Sequence, residues 1–497
     1  MIYLDICSLN RFGPPVRAGL ISRIHGITFD EFEEKFFRPL EQIVRLRPDK
    51  KSGDYVYEAR HPQIAEALYD AVLNGQEERF DNLIRIITKL NPSYSYDIEV
   101  LARIIRAESV EHTIADPNRA RQIYDAALEN MGELVIILHQ RGIYELHVSG
   151  SIGELRKASE FLEQASLKEP RNKSIKHSLA ELDLRRSRLS SDELEKLTWR
   201  RSAISRASEL TIGDTSPYPY HTILKANIDD IVDGLAAVEE NENDATTQHL
   251  GDSILRAEDT LKRGLQRFPD DQSLLSGEGR LAEVLSNSVR AEGAFKKAFA
   301  ANLRSSLIAR RLVKILRAKG EASECVGIIS KALEANPANA ELHYELARAL
   351  LTEMPNADQI NAETIAYHLR RSFSAGDKNY RAQFWYARQL SVMDRFDEAR
   401  PIFEGLANMS MPFSQKQLVR DSIRDETGQA KRYEGTITTF RSSYGFARSE
   451  APRLDLFVPL RELDADASVS FVEGSRVSFE IGFNFKGPVA AGIRRLN

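Results

Sequence analysis

A pattern of small, large and small residues recurs in this chain at a fixed interval. Ala257, Leu261, Gly264 and Pro269 are followed 34 residues on by Ala291, Phe295 and Ala298, and 34 further on by Cys325, Ile329, Ala332 and Pro337. Offsets of four and three put these residues on one face of a helix, and the small ones let a neighbouring helix come close. An insertion around Met354 to Gln359 interrupts the interval, which resumes at Ala399 and Phe403. Ala158, Leu162, Ala165 and Pro170 carry the same offsets 99 residues before Ala257, close to three repeats away, and Ala120, Tyr124 and Ala127 echo them. Gly320 falls at the turn inside one unit, and Leu342, Leu346, Ala347, Ala387 and Leu390 mark the first helices of later ones. A two-helix unit of this length cannot bury its apolar face alone, so copies must stack.

These offsets resemble the tetratricopeptide repeat. The resemblance implies an α-solenoid over about 76–430 whose concave face holds a protein or RNA ligand. At 497 residues the chain is too long for one ordinary core, and two to four domains are expected. The net charge of −5 gives no global field that would draw the chain onto nucleic acid or an anionic membrane, so any such contact is local. Cys7 and Cys325 are far apart in sequence and suggest neither a disulfide framework nor a thiolate metal site. The start, MIYLDICSLNRFG, lacks a basic leader and carries Asp5 in its short apolar run, and no long apolar span follows. A cytoplasmic protein without a membrane segment is expected.

Residues 1–75 read as short helices followed by a ribbon. Ile24, Ile27, Phe29, Phe32, Phe36, Phe37, Leu40 and Ile43 form an aromatic-rich helical stripe, with Thr28 or Asp30 as the capping candidate. Ser52-Gly53-Asp54 is a turn, Tyr55–Ala59 alternates like an edge strand, and Pro62 suits the first turn of a new helix. The phrases PPVRAGLISR and YEARHPQIAEAL resemble the winged-helix portion that follows the nucleotide-binding core of STAND-type signalling ATPases, a branch of the AAA-like group. That resemblance implies an ATPase core on another polypeptide, with Arg60 and His61 sensing its nucleotide in trans. A histidine bonding locally at a helix start is the plainer reading of His61. No GxxxxGK[ST] motif and no Gly-Lys pair occur, so this chain has no phosphate loop of its own. Ile2-Tyr3-Leu4-Asp5 has the outline of an apolar strand ending in an Mg²⁺-binding Asp, though no phosphate loop precedes it.

Two further helical stripes follow, Leu83, Ile86, Ile87, Leu90 and then Ile98, Leu101, Ile104, Ile105. Leu134–Leu138 is an apolar run of five that reads as a buried strand or as the first helix of a repeat. Arg185, Arg186, Arg188, Lys196, Arg200, Arg201 and Arg206 make a basic stretch, either a solvated helical face or a phosphate-binding patch. Gly213–Tyr220 reads as a loop and Glu239–Asp244 as an exposed acidic linker.

At about Tyr433 the hydrophobic period changes from 3.6 to 2. Five β-rich runs follow, at 435–440, 444–447, 455–458, 476–481 and 489–493. Five strands in so short a segment make a small barrel, and residues 431–497 resemble the cold-shock domain, an OB-fold that binds single-stranded RNA or DNA. The resemblance places Tyr444 and Phe446 at the two aromatics of the first ribonucleoprotein motif and Phe457 at that of the second. Phe440 is a further candidate aromatic, and Arg441, Arg448, Arg453 and Lys486 are candidates for phosphate. Thr439, Ser442 and Pro459 stand where the family has Trp, Lys and His. From Tyr433 to Asn497 eight Lys and Arg are balanced by eight Asp and Glu, so the electrostatic term is weak.

The fold class expected is mostly α, with a winged-helix-like N-terminal unit, a tetratricopeptide-type solenoid and a C-terminal five-stranded OB-fold barrel. No HExxH motif, CxxC pair or His–carboxylate cluster occurs, the ten histidines are scattered, and Ser149–Gly153 lacks the strand-to-helix frame of a nucleophile elbow. No catalysis, cofactor or metal is therefore expected. Two functions stay open: the sensor portion of a STAND-like signalling or antiviral defence system, or an RNA-associated adaptor that recruits a protein through its repeats.

Overall fold

The computed structural model describes the chain apart from residues 14–15, 29, 49–54, 214–215, 354–356, 375–378, 426, 442–443, 459–470 and 497. Phe29, the turn Ser52-Gly53-Asp54, Met354, Ser442 and Pro459 thus lie outside the described residues. Two compact units are present, 1–269 and 270–497.

The first unit opens with α1 (Ile2–Arg11), β1 (Val16–Arg17) and α2 (Ala18–His25). A π-helical turn over Glu33–Phe37 runs into α3 (Arg38–Leu40), followed by β2 (Val44–Pro48), β3 (Tyr55–Ala59) and α4 (Pro62–Val72). Several sequence readings are corrected here. Ile2–Asp5 is helix, not strand: it opens α1, which is buried on all sides from Leu4 to Leu9. Asp5 is fully buried and already occupied: His25 Nε2 lies 2.6 Å from its carboxylate, Asn82 Nδ2 donates at 3.0 Å, and Arg85 pairs with it. The stripe from Ile24 is not one helix, since Gly26 ends α2 at φ +65°, a conformation that suits glycine. The helical turn beyond begins after Phe32 and has no side-chain cap. The segment Tyr55–Ala59 is the centre of its sheet, not an edge: the order is β1-β3-β2, antiparallel throughout, with Tyr57 facing Val16 on one side and Leu46 on the other.

Next come α5 (Gln76–Ile87), α6 (Ser95–Ile104), α7 (Ala107–Thr113) and α8 (Pro117–Met131). One continuous core runs from Ile6 and Leu20 through Phe36 and Tyr57 to Ile86, Leu101, Tyr124 and Tyr144. Three hairpins complete the unit: α9 (Val135–Val148) with α10 (Leu155–Lys168), α11 (Lys173–Leu189) with α12 (Glu193–Leu210), and α13 (Tyr218–Glu240) with α14 (Asp244–Arg267). The apolar run 134–138 is therefore helical, and Tyr218–Tyr220 belongs to α13 rather than to a loop. The 99 residues from Ala158 to Ala257 hold two steps of the array, not three, because α11 to α14 are 17, 18, 23 and 24 residues long.

The basic stretch is in part a solvated face, with Arg188, Arg201 and Arg206 exposed, and in part a set of internal ion pairs. Arg200 is buried between Asp230 (2.6 Å) and Asp233 (2.8 Å), Arg188 holds Asp229 at 2.7 Å, Arg206 holds Asp183 at 2.8 Å, and Arg186 lies 4.6 Å from the Trp199 ring. These pairs tie α11 and α12 to each other and to α13, so several of the charges are matched within the array.

In the second unit α15 (Gln272–Val284) pairs with α16 (Ser288–Ala301), and α17 (Ser306–Ala318) with α18 (Ala322–Ala335). After α19 (Ala340–Glu353), the short α20 (Ala357–Ile360) fills the end of the insertion before α21 (Ala362–Arg370) resumes the rhythm. The last hairpin is α22 (Tyr380–Val392) with α23 (Phe396–Asn408), and α24 (Phe413–Gln417) follows. Asp271, Asn287, Ser305 and Asn379 accept first-turn amide hydrogen bonds and so fix where four of these helices begin. In both units the small–large–small residues are buried, among them Tyr124, Leu162, Phe295 and Ile329, each at 0% exposure. Gly320 makes the α17–α18 turn at φ +78°.

The chain then changes to strands: β4 (Asp421–Ser422), β5 (Arg432–Phe440), β6 (Gly445–Ser449), β7 (Asp455–Val458), β8 (Arg476–Asn484) and β9 (Gly487–Arg495). The order β8-β5-β6-β7-β9 closes on itself through the β8–β9 hairpin, a five-stranded barrel of OB type, and β4 adds to the outside of β8. Its interior is continuous with the last helical hairpin: Phe403 stacks on Phe483, Phe384 meets Phe485 edge-on at 5.3 Å, and all four belong to one buried cluster.

Candidate nucleic-acid interface

Alternation along β6 turns Ala447 fully inward and Phe446 and Arg448 outward, and β7 does the same with Leu456 inside and Asp455 outside. The register places Phe446 directly opposite Phe457, and Arg448 opposite Asp455. On the other side of β6, a bulge in β5 between Ile437 and Thr439 brings Thr439 opposite Phe446. A row Thr439–Phe446–Phe457 thus crosses three strands. Tyr444, in the β5–β6 connection, meets Phe446 edge-on at 6.0 Å, and Phe446 meets Phe457 edge-on at 5.8 Å. Tyr444 and Phe446 remain 40% and 37% exposed, so two large rings stay in water on a module whose other aromatics are mostly inside. Flat, exposed rings of this kind suit stacking on unpaired bases.

The charges around the row are less open than the sequence suggests. Arg448 makes a two-pronged ion pair with Asp455, at 2.7 and 2.8 Å, which holds the Asp455 carboxyl below its ordinary range. Arg441 is exposed, with Glu473 3.9 Å away. Arg453 is exposed between β6 and β7. Lys486 stands in the β8–β9 turn with its ammonium 4.2 Å from the centre of the Phe413 ring, a contact with α24. Phe440 is half-buried and packs against Phe471 at 5.9 Å, so its ring serves the barrel core. The structure therefore brings Tyr444, Phe446, Phe457 and Arg448 together and shows other engagements for Phe440 and Lys486.

Two features around the face had no visible signal. Arg388 of α22 is 1% exposed, with its Nε 3.2 Å from Asp421 and its Nη2 donating to the Ser422 carbonyl at 3.3 Å. It fastens β4, and through it β8, to the last helical hairpin. A lone arginine among apolar helix positions carries no sequence mark of such a role. The other is Asp455, which only strand register sets against Arg448.

At the other end of the chain, Arg60 lines a cavity of about 230 Å³ with Phe36, Leu40, Val44, Leu46 and Tyr57, and donates to the Glu41 carbonyl at 3.4 Å. His61 is exposed at the start of α4, without a side-chain cap bond. Both cysteines are buried. Among the described residues no group of three or more His, Cys, Asp or Glu is placed to hold a metal ion, and no helix is long and apolar enough to cross a membrane.

Helical hairpins of tetratricopeptide type thus precede, in sequence, an OB barrel with an exposed aromatic row. No family model matches the chain. A span of 65 residues, the size of the barrel, is 35% identical to probable cold shock protein A of Mycobacterium tuberculosis and covers 97% of that protein and 13% of this chain. Over that span the chain belongs to the cold-shock protein family. Its fold is similar to a TPR protein of Thermus thermophilus, 20% identical, covering 44% of this chain and all of that one at a TM-score of 0.32. It is also similar to the human IFIT1 dimer with m7Gppp-AAAA, 15% identical, covering 67% of this chain and 74% of that one at 0.33.

Proposed function

We propose that this protein is an adaptor that binds single-stranded RNA or DNA through the outer face of β6 and β7 and recruits a protein through its helical hairpins. The observation that carries the reading is the contact chain Tyr444–Phe446–Phe457, with two of the rings exposed, on a barrel of the cold-shock family. Bases stack on Tyr444, Phe446 and Phe457, while Arg441 and Arg453 meet the backbone. Arg448 contributes once a phosphate displaces Asp455. Stacking is tolerant of sequence, and the module's balanced charge keeps the phosphate contribution small, so binding is modest and weakly selective. The test is fluorescence anisotropy of a labelled oligouridylate with the full chain and with Tyr444→Ala and Phe457→Ala. Each variant is expected to bind more weakly by at least fivefold with its fold intact; equal binding by all three would refute the reading.

A second reading, the sensor portion of a STAND-type signalling or defence ATPase, draws support from the N-terminal unit. Its order of helix, strand, helix, helix, strand, strand, with the last strand in the middle of the sheet, is that of a winged helix. In that reading Arg60 and His61 face a nucleotide on a separate ATPase core. A phosphate-loop ATPase encoded next to this chain, and retained by it on an affinity column, is the expected finding; failure to co-purify would count against the assignment.

A further inference from the structure

The sheet of the first unit has one long open edge. In the order β1-β3-β2, β1 is two residues long, whereas β2 runs over Val44–Pro48 and pairs with β3 on one side alone. The Arg60 amide donates to the Ile43 carbonyl at 3.0 Å, which marks that pair as a hydrogen-bonded position of the ladder. Such positions alternate along antiparallel strands, so Arg45, opposite Glu58, and Arg47, opposite Val56, occupy the next two. Val44 and Leu46 therefore turn their N–H and C=O groups away from β3. Ala59, opposite Val44, shows the same alternation from the other strand: its amide points away from β2 and donates to the Asn10 side chain at 2.7 Å. Among the described residues, the four outward groups of Val44 and Leu46 have no backbone partner. Pro48, which has no N–H, ends the open stretch.

A cavity of about 230 Å³ runs along this edge, bounded by Phe36, Phe37 and Leu40 of the helical turn and by Val44, Leu46 and Tyr57 of the sheet. It is smaller than the roughly 300 to 1,000 Å³ of pockets for small molecules and cofactors, and suits a single apolar side chain. Beside it Leu46 and Ile43 are 40% and 39% exposed, so the edge is apolar as well as open. The other face of β2 carries charge. Arg47 is held by Glu58 at 2.8 Å, whereas the exposed Arg45 has no carboxylate partner among the described residues. A second copy pairing antiparallel about Leu46 would set Arg45 opposite Arg47 across the junction, a like-charge contact that opposes self-association.

Open backbone groups, an apolar socket on one face and an unmatched cation on the other fit one kind of occupant. We propose that an extended acidic segment of a partner protein adds to the sheet along β2. Its backbone bonds to Val44 and Leu46, an apolar side chain fills the cavity, and a carboxylate meets Arg45. Side chains alternate between the faces of a strand, so the segment recognised alternates acidic and apolar residues. This edge belongs neither to the helical hairpins nor to the barrel, and is a protein contact beyond those assigned above.

The test is fluorescence anisotropy of the full chain with a labelled heptapeptide of alternating glutamate and leucine. One control peptide has lysine in place of glutamate, and another has N-methylated backbone amides. The glutamate peptide is expected to bind tenfold or more tightly than either control. Arg45→Glu should reverse the preference between the glutamate and lysine peptides. Leu46→Pro removes one outward N–H without taking a bond from β3, and should weaken binding at least tenfold; thermal melts check that both variants fold. No binding of the glutamate peptide at millimolar concentration, or binding that neither N-methylation nor Arg45→Glu changes, would overturn the proposal. Sedimentation showing a dimer that Leu46→Pro dissolves would also overturn it, by assigning the edge to a second copy.

Discussion

Asp455 is the residue whose removal says most about the barrel face. Its carboxylate holds both prongs of Arg448 on the surface beside Phe446 and Phe457, a solvent-screened pairing that adds little to the stability of the fold. Any phosphate contacting Arg448 must compete with it. Asp455→Asn is therefore expected to raise affinity for single-stranded oligonucleotide several-fold and to steepen the salt dependence by about one counterion, since one more phosphate is neutralised. Anisotropy titrations across a range of salt check both; weaker binding would show that Arg448 faces no phosphate. Phe446→Ala acts oppositely. Loss of one stacking surface should cost about 1 to 3 kcal/mol, and more than Thr439→Ala, because Thr439 has no ring to lose.

At the scale of the element, the large residue of the repeat pattern has a counterpart. A Cβ added at Gly279 on α15 would lie 2.6 Å from the Phe295 ring on α16, and one at Gly142 on α9 would lie 2.7 Å from Leu162 on α10. The glycines are sockets that let the two helices of a hairpin approach. Gly279→Ala should destabilise the chain by about 1 to 3 kcal/mol through overpacking, read as a lower urea midpoint. An unchanged midpoint would mean the hairpin has room to spare. The sequence shows only half of each such pair, because a large residue on a buried helix face recurs visibly while its glycine partner on the preceding helix looks like any other. Offsets of three and four also reveal a helix without revealing its length. That is why Ala158 to Ala257 suggested three short repeats where two long hairpins occur. The barrel strands were legible because alternation is a local signal. The centre position of Tyr55–Ala59 was not, because its partner β1 is only two residues long and β2 reads as charged. The aromatic row was legible residue by residue, but the Arg448–Asp455 pair and the Arg388–Asp421 link depend on register and packing across distant segments.

For the whole molecule, partly buried histidines make acid the weak direction. Burial lowers His221 in the first unit and His368 in the second from 6.5 to about 4. Between those values the unfolded chain takes up protons that the folded chain refuses, so stability falls as pH drops from about 6.5 towards 4. Glu181 extends the loss. Its burial alone would raise it, but Lys225 holds it at about 2, so its contribution disappears as pH falls below 4.5. Thermal midpoints should decline from pH 7 to 4.5, and His368→Gln should flatten that decline; a midpoint independent of pH would contradict it.

Photocrosslinking of the full chain to an oligouridylate carrying 4-thiouridine, with the modified peptides mapped by mass spectrometry, tests the central claim most directly. Crosslinks on the segment holding Tyr444, Phe446 and Phe457, lost in Tyr444→Ala with Phe446→Ala, are the predicted result. Crosslinks confined to the helices between residues 135 and 408, or none at all, would contradict it.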